Sequence, residues 1–238
     1  SGRYFSTNSV GHLGFTGVND SDLAELVSLE NVQELTLMGT SVGNEGVKHL
    51  ARIKNLRNID LSGTLITDLG LKHLQDVRSL RTLALTSTKV AGPGLKHLNR
   101  ISTLTELNLS YTQIGSEDLA SIADLDGLTL LSLAGTKVNN DGLKFLQRFK
   151  SLKQLIIRDS HIHNGKLQGL VGLQSLEVLD LSETKIDNTT IHGIPTLPRL
   201  SGLYIGQTGI DDGAFVDFGR FRSLKQLKLQ GTRVTDRC

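Results

Sequence analysis

The sequence predicts an α/β solenoid, a horseshoe with a parallel β-sheet on its concave face and short helices or 3₁₀ turns on its convex face. Three observations predict it. A hydroxyl residue recurs every 24 residues, leucine or isoleucine precedes it at a fixed distance, and apolar residues after it lie three apart. Because 238 residues divided by 24 gives about ten, we expect one domain over residues 1–238, with incomplete first and last repeats.

The hydroxyl residues set the register of the repeats. Leucine or isoleucine stands three residues before each of them, and valine or isoleucine two residues after. Ten copies without an insertion or deletion are too regular to arise by chance. These residues are Thr16, Thr40, Thr64, Thr88, Thr112, Thr136, Ser160, Thr184, Thr208 and Thr232.

A strand is predicted just before each hydroxyl residue. Leu35 and Leu37, like their counterparts in later repeats, alternate with polar residues, which is the period of a strand with one buried face. Stacked strands then pair in parallel, roughly 4.8 Å apart. Because a hydroxyl both donates and accepts, we expect the stacked threonines to hydrogen-bond from one turn to the next.

A short helix or 3₁₀ turn is predicted after each hydroxyl residue. Leu71, Leu74 and Val77 lie three residues apart and give this segment one apolar edge. One strand and one short helix cannot bury their apolar faces alone, so successive copies must stack. Polar side chains at the predicted helix starts are expected to cap exposed N–H groups. They are Asp68, Ser116, Asn140 and Asp212.

The repeat unit, L-x-x-L-x-L-x-x-T-x-I/V-x-D/N-x-G-L-x-x-L-x-x-L/I, resembles the leucine-rich repeat family along essentially the whole chain. Its form from Thr64 to Leu74 resembles bacterial repeat proteins, notably those of planctomycetes. The resemblance implies a leucine-rich-repeat solenoid that acts as a protein-binding scaffold, without catalysis of its own and without a cofactor.

The composition narrows the classes of partner. Lys and Arg total 26 and Asp and Glu 24, a net charge of +2 that gives no electrostatic argument for binding nucleic acid. No run reaches the ~18 apolar residues of a membrane-spanning helix. The single cysteine, Cys238, excludes a disulfide within the chain and a zinc site of several cysteines. The compartment is left open.

The sequence contains no motif that is typical of catalysis or of metal binding. The chain has no phosphate-binding G-x-x-x-x-G-K-S/T, no G-x-S-x-G and no H-E-x-x-H. His49, His73 and His97 recur on the convex side. Helix axes stand roughly 8 to 10 Å apart, and zinc needs nitrogens at about 2.0 to 2.1 Å, so we expect no metal site.

Function is expected where the repeat leaves positions free, on the exposed residues of the concave strands. In repeats six to nine, four apolar residues zigzag over adjacent strands with an arginine and an aspartate beside them and a tyrosine at the rim. That composition is typical of the centre of an interface. We predict that these residues bind another protein: Leu130, Ile156, Val178, Tyr204, Arg158, Asp180 and Tyr111.

Two alternatives stay open. In the first alternative, the chain is a bacterial surface or secreted protein that binds glycan or envelope components. In the second, it is the recognition arm of a larger effector or adaptor. The first alternative uses polar concave residues instead, and the candidates are Glu34, Asp60, Glu106, Asn108 and Lys228.

The two ends have three interpretations. Solenoids normally carry polar terminal caps, whereas here only the Tyr4-Phe5 segment precedes the first repeat and the last repeat stops at Cys238. The chain is a fragment, it self-associates end to end through its uncapped repeats, or Tyr4 and Phe5 form a minimal cap. We favour the fragment.

Overall fold

A computed structural model describes residues 17–26, 31–165 and 167–236, together with the backbone of residues 6–8 and 12–14. Contacts divide the chain into two compact units, unit 1 over residues 1–113 and unit 2 over residues 114–238. Each unit is described by itself, and a single domain over the whole chain stays a prediction. Tyr4, Phe5 and Cys238, on which the interpretations of the ends depend, lie outside the described residues.

Unit 1 alternates strands with short helices. Strand β1 pairs antiparallel with β2, and β2 to β6 pair in parallel, each with the next. The strands are β1 (Ser6–Asn8), β2 (His12–Gly14), β3 (Glu34–Thr36), β4 (Asn58–Asp60), β5 (Thr82–Ala84) and β6 (Glu106–Asn108). The helices are α1 (Asp20–Leu26), α2 (Asn44–Val47), α3 (Asp68–Leu74) and α4 (Gly92–Leu95), with 3₁₀ segments Leu50–Arg52 and Lys96–Arg100.

Unit 2 has the same alternation with more 3₁₀ structure. Its strands pair in parallel, each with the next, and are β7 (Leu130–Ser132), β8 (Gln154–Ile156), β9 (Val178–Asp180), β10 (Gly202–Tyr204) and β11 (Gln226–Lys228). The 3₁₀ segments are Glu117–Ile122, Asn140–Arg148, Gln168–Leu170 and Asp212–Ala214, and the α-helices are α5 (Asn188–Gly193) and α6 (Phe215–Phe218).

The core of each unit follows the predicted spacing. In β5, Leu83 is fully buried, and Thr82 and Ala84 on either side are half-buried. The central residue of β8, Leu155, is likewise fully buried. Burying such a side chain stabilises the fold by about 1.5–3 kcal/mol, so the leucine spacing fixes which face of each strand points inward.

The repeated hydroxyl closes a turn within its own repeat. Thr40 Oγ1 donates to the Leu37 carbonyl oxygen at 2.7 Å. The same bond, 2.5 to 2.8 Å long, is made by Thr64, Thr88, Thr112, Thr136, Ser160, Thr184, Thr208 and Thr232. The expected hydroxyl links between repeats are therefore wrong. Backbone amides already make those links, as when Leu37 N donates to the Asp60 carbonyl at 2.8 Å.

The helix caps lie one residue earlier than expected. Asn139 accepts a hydrogen bond from Asp141 N at 3.0 Å, and Thr67, Asp187 and Asp211 occupy the same position. The expected cap residues instead accept from a backbone N–H of the next repeat: Asp68 from Ala91 N (2.8 Å), Ser116 from Asn139 N (3.0 Å), Asn140 from His163 N (3.0 Å) and Asp212 from Thr235 N (2.7 Å). These side chains form a polar ladder along each unit.

Candidate functional site

The strand face is the sheet surface formed by the first and third residue of each strand. In unit 2, Leu130 aligns with Gln154, Val178 and Gly202, and Ile156 aligns with Asp180 and Tyr204. The four predicted contact residues, which we call the apolar strip, are Leu130, Ile156, Val178 and Tyr204. All four are half-buried. They alternate between the two rows, so they meet diagonally at roughly 7–8 Å, with Gln154 and Asp180 between them.

Tyr204 is held in place by its neighbours. Its hydroxyl donates to Gln226 Oε1 at 2.8 Å, and Lys228 Nζ lies 4.0 Å from the ring centroid. A Cβ built on Gly202 would stand 3.4 Å from both the Tyr204 hydroxyl oxygen and Val178 Cγ2. The ring therefore lies along β10 over Gly202, and its orientation is set before any partner arrives.

The two charged candidates of unit 2 are engaged within the chain. Arg158 forms an ion pair with Glu183, and the Arg158 Nε–H is buried without a hydrogen bond to any described residue. Asp180 accepts from Ser182 N at 2.9 Å. Arg158 is therefore held by Glu183, and one oxygen of Asp180 closes a turn.

Two polar candidates of unit 1 close the same kind of turn as Asp180. Asp60 accepts from Ser62 N at 2.9 Å, and Asn108 accepts from Ser110 N at 3.0 Å. Asp or Asn followed two residues later by Ser is the signature of this local turn, and it recurs at Asp60, Asn108 and Asp180. That spacing could have predicted the turn from the sequence. These residues have a structural role whatever else they bind.

The other polar candidates also have neighbours on the strand face. Asn58 Nδ2 donates to Glu34 Oε1 at 3.0 Å, and Thr82 Oγ1 is 3.4 Å from Glu106 Oε2. Lys228 lies over the Tyr204 ring, so it belongs to the surroundings of the apolar strip.

Tyr111 belongs to unit 1 and is 46% exposed. Its backbone has φ of +55°, a left-handed conformation that is uncommon for a residue with a Cβ. The residue before the repeated hydroxyl has positive φ in most repeats and is glycine at four of those positions, Gly39, Gly63, Gly135 and Gly231. The position of Tyr111 at the rim of the predicted site stays a prediction.

A row of cations that was not predicted from the sequence lies along the turns that lead into the strands, which we call the start edge. Three of these turns in unit 1 are residues 50–57, 74–81 and 98–105, with Asp76 as their single acid, and the segment before β3 contains Glu30. All six cations are exposed, and none makes an ion pair or hydrogen bond through its side chain with a described residue. They are Arg52, Lys54, Arg57, Arg78, Arg81 and Arg100.

On the start edge of unit 2, three cations have partners, whereas Lys150, Arg199, Arg222 and Lys225 make no ion pair or side-chain hydrogen bond with a described residue. Arg148 pairs with Asp124 at 3.4 Å, and Lys153 pairs with Glu177 at 3.5 Å. Arg220 donates to the carbonyl of Ile191 at 2.6 Å, at the end of α5. Two cavities of about 330 and 400 Å³ lie along this edge. Both are lined by Pro198, the first also by Arg220 and Arg222 and the second also by Arg199 and Lys225.

The electrostatics of unit 1 also affect one histidine. Burial lowers the pKa of His97, and Lys96, Lys72 and Arg100 lower that pKa further. Among the described residues, no group of three or more His, Cys, Asp or Glu side chains is placed to hold a metal ion. No helix in the described part of the chain is long and apolar enough to cross a membrane.

Comparisons with known proteins identify the architecture. The model of the Leucine Rich repeat family matches residues 100–123. A comparison with curated proteins found no match. The fold is similar to that of the internalin inlF of Listeria monocytogenes (TM-score 0.66, 20% identity), which covers 90% of this chain. It is also similar to internalin C2 of the same bacterium (TM-score 0.65, 22% identity, 90% of this chain and 84% of that one).

A third similar structure is the TLR13–ssRNA13 complex (TM-score 0.68, 20% identity). The match covers 92% of this chain and 31% of the chain in that structure. The chain spans 65% of the length of the internalin inlF structure that it matches. At these identities the likeness shows the fold. The matched repeat, the ten copies in register and the similar solved structures together show that this chain has the leucine-rich-repeat fold.

Proposed function

We propose that the chain is a protein-binding scaffold that holds its partner on the strand face of unit 2, without catalysis. Proteins of this fold are typically binding scaffolds, which supports the class of function. The observation that carries the choice of surface is the apolar strip, with four half-buried apolar side chains on four adjacent strands. Contiguous apolar surface of this kind often marks a binding site.

The fixed Tyr204 ring supports the same surface. Large aromatic side chains dominate the energetics of many interfaces, and an anchor that is already ordered loses little entropy on binding. Tyr204 has its hydroxyl bonded to Gln226 and its ring against Lys228, so it meets both conditions.

The test compares three chains as bait in extracts of the organism that encodes the protein. They are the native chain, the variant Ile156→Asp/Tyr204→Asp and a control, Met38→Asp/Leu65→Asp. The control adds the same charge at exposed apolar positions of unit 1, where Met38 is 60% and Leu65 53% exposed. Circular dichroism first establishes that all three fold alike.

We expect a protein retained by the native and control chains and lost by the strand-face variant. Its purified form should bind the variant at least about tenfold more weakly, since central anchors contribute about 2 kcal/mol or more. Equal retention by all three chains would show that the apolar strip is not the site.

A second candidate is glycan binding on the strand face of unit 1. The hydrogen-bonded pair of Glu34 and Asn58 gives that face fixed donors and acceptors, which is what recognition of sugar hydroxyls needs. Glycan-array binding that survives Ile156→Asp/Tyr204→Asp but is lost in Glu34→Ala/Asn58→Ala would favour this candidate over the first.

A further inference from the structure

We propose that the start edge of unit 1 is a second binding surface, which takes a linear sulfated or phosphorylated glycan. The surface consists of the six exposed cations Arg52, Lys54, Arg57, Arg78, Arg81 and Arg100. It is separate from the strand face of unit 2 on which the proposed function rests.

Four of the cations form two pairs at equivalent places in successive repeats, whereas Asp76 occupies the equivalent place between Arg52 and Arg100. Arg57 and Arg81 each stand immediately before a strand, β4 and β5, and Arg81 N donates to the Arg57 carbonyl at 2.6 Å. Lys54 and Arg78 lie in the preceding turns, which are joined by a bond of 2.7 Å from Ser79 Oγ to the Leu56 carbonyl. Neighbouring strands stand roughly 4.8 Å apart, so the charges form rows that run across the strands.

Apart from Asp76, the acids of unit 1 lie outside the three turns that carry the six cations. Glu34 and Glu106 are on the strand face, and Asp68 bonds the backbone at the start of the next helix. Asp76 is the single acid in the turns that carry six cations. A net charge near zero therefore hides a separation of charge within the unit. Closely spaced like charges repel each other, and a bound polyanion relieves that repulsion.

The type of cation indicates the type of anion. Five of the six are arginine, whose planar fork makes paired hydrogen bonds to sulfate and phosphate oxygens. The turns contain no Phe, Tyr or Trp on which a base would stack, unlike surfaces that bind single-stranded nucleic acid. Rows of arginines without aromatic platforms favour a flexible chain that carries tetrahedral oxyanions.

The experiment measures binding of fluorescent heparin, with phosphomannan as the phosphorylated probe and unsulfated dextran as the uncharged one. The test variant is Arg57→Glu/Arg81→Glu. Its control, Lys72→Glu/Lys96→Glu, changes the net charge equally in the same two repeats, but at exposed positions on the helices. A third variant, Arg57→Lys/Arg81→Lys, keeps the positive charge and removes the planar guanidinium groups.

We expect the native chain to bind heparin, phosphomannan or both, and not dextran, with affinity that falls steeply as salt rises. The test variant should lose at least about tenfold in affinity and the control less than about twofold, with the lysine variant between them. Equal losses in test and control would overturn the proposal, because net charge alone would then explain binding. Absence of binding to both anionic glycans, or tighter binding of duplex DNA or anionic vesicles through the same arginines, would also overturn it.

Discussion

Units 1 and 2 share one repeat and present different surfaces. Both contain parallel three-residue strands, the same inward leucines and the same hydroxyl turn. The strand face is polar in unit 1 and carries the apolar strip in unit 2. Along the start edge, none of the six cations of unit 1 pairs with a described residue, whereas three of the cations of unit 2, Arg148, Lys153 and Arg220, have partners. The inward positions therefore set the fold, and the outward positions separate two candidate binding surfaces.

The largest effect is expected where the backbones come closest. A Cβ on Gly169 in unit 2 would lie 2.2 Å from the carbonyl carbon of Leu143, whereas on Gly94 in unit 1 the nearest backbone atom, Asp68 Cα, would be 2.8 Å away. Because backbone cannot swing aside, Gly169→Ala should lower the free energy of unfolding by about 3 kcal/mol. Urea denaturation measures this. Gly219→Ala, with nothing within 4 Å, is the control, and equal stability of the two variants would contradict the close approach.

The next effect separates structural cations from free ones. Arg220 donates to the carbonyls of Ile191 at 2.6 Å and His192 at 3.0 Å, which caps the end of α5. Arg220→Ala should cost about 1–2 kcal/mol. Arg52→Ala in unit 1 should change stability by no more than about 0.5 kcal/mol, because no described residue pairs with it. Denaturant midpoints measure both, and a comparable loss for Arg52→Ala would show that the start edge of unit 1 is structural.

Because the hydroxyl turn is the same in both units, we expect its loss to lower the free energy of unfolding equally in each. Thr64 and Thr136 each donate through Oγ1 to the carbonyl three residues back at 2.6 Å. Replacing either by Val removes one buried hydrogen bond and should cost about 1 kcal/mol. Thermal unfolding of both variants tests this, and a loss in one unit alone would mean that the turn has different roles in the two.

The smallest effect is a shift in the titration of His97. Its pKa is lowered by burial first, and then by Lys96, Lys72 and Arg100. The folded state therefore favours neutral His97, and the free energy of unfolding should fall as pH drops below the ordinary pKa of 6.5. Removing one cation with Arg100→Ala should raise the pKa of His97, as followed by NMR. A pKa that falls or stays constant would contradict a cationic field around the helices of unit 1.

The 24-residue spacing predicted the strands, their parallel pairing and the buried leucines, because period and burial follow directly from repeated sequence. Side-chain partners were less predictable. Asp68 and Asn140 were expected to cap the helices, but the caps are Thr67 and Asn139. Each pair of neighbouring polar residues divides its roles: the first accepts from an N–H of its own helix, and the second accepts from a backbone N–H of the next repeat. Thr40 bonds the Leu37 carbonyl of its own turn, and the backbone amides already link successive repeats.

The candidate site was partly predictable for a related reason. The positions of Ile156 and Tyr204 on the strand face follow from alternation, but the fit of the Tyr204 ring over Gly202 depends on a neighbouring row. The cations of the start edge were missed because net charge sums over the whole surface. Only the placement of Arg57 and Arg81 before successive strands shows that the positive charge is concentrated.

The most direct test of the account is the dissociation constant of the captured protein partner for three chains at one salt concentration. These are the native chain, Ile156→Asp/Tyr204→Asp and Arg57→Glu/Arg81→Glu. The account predicts at least about a tenfold loss in the strand-face variant and less than about a twofold change in the start-edge variant. The reverse pattern, or equal losses, would contradict the assignment of protein binding to the strand face of unit 2.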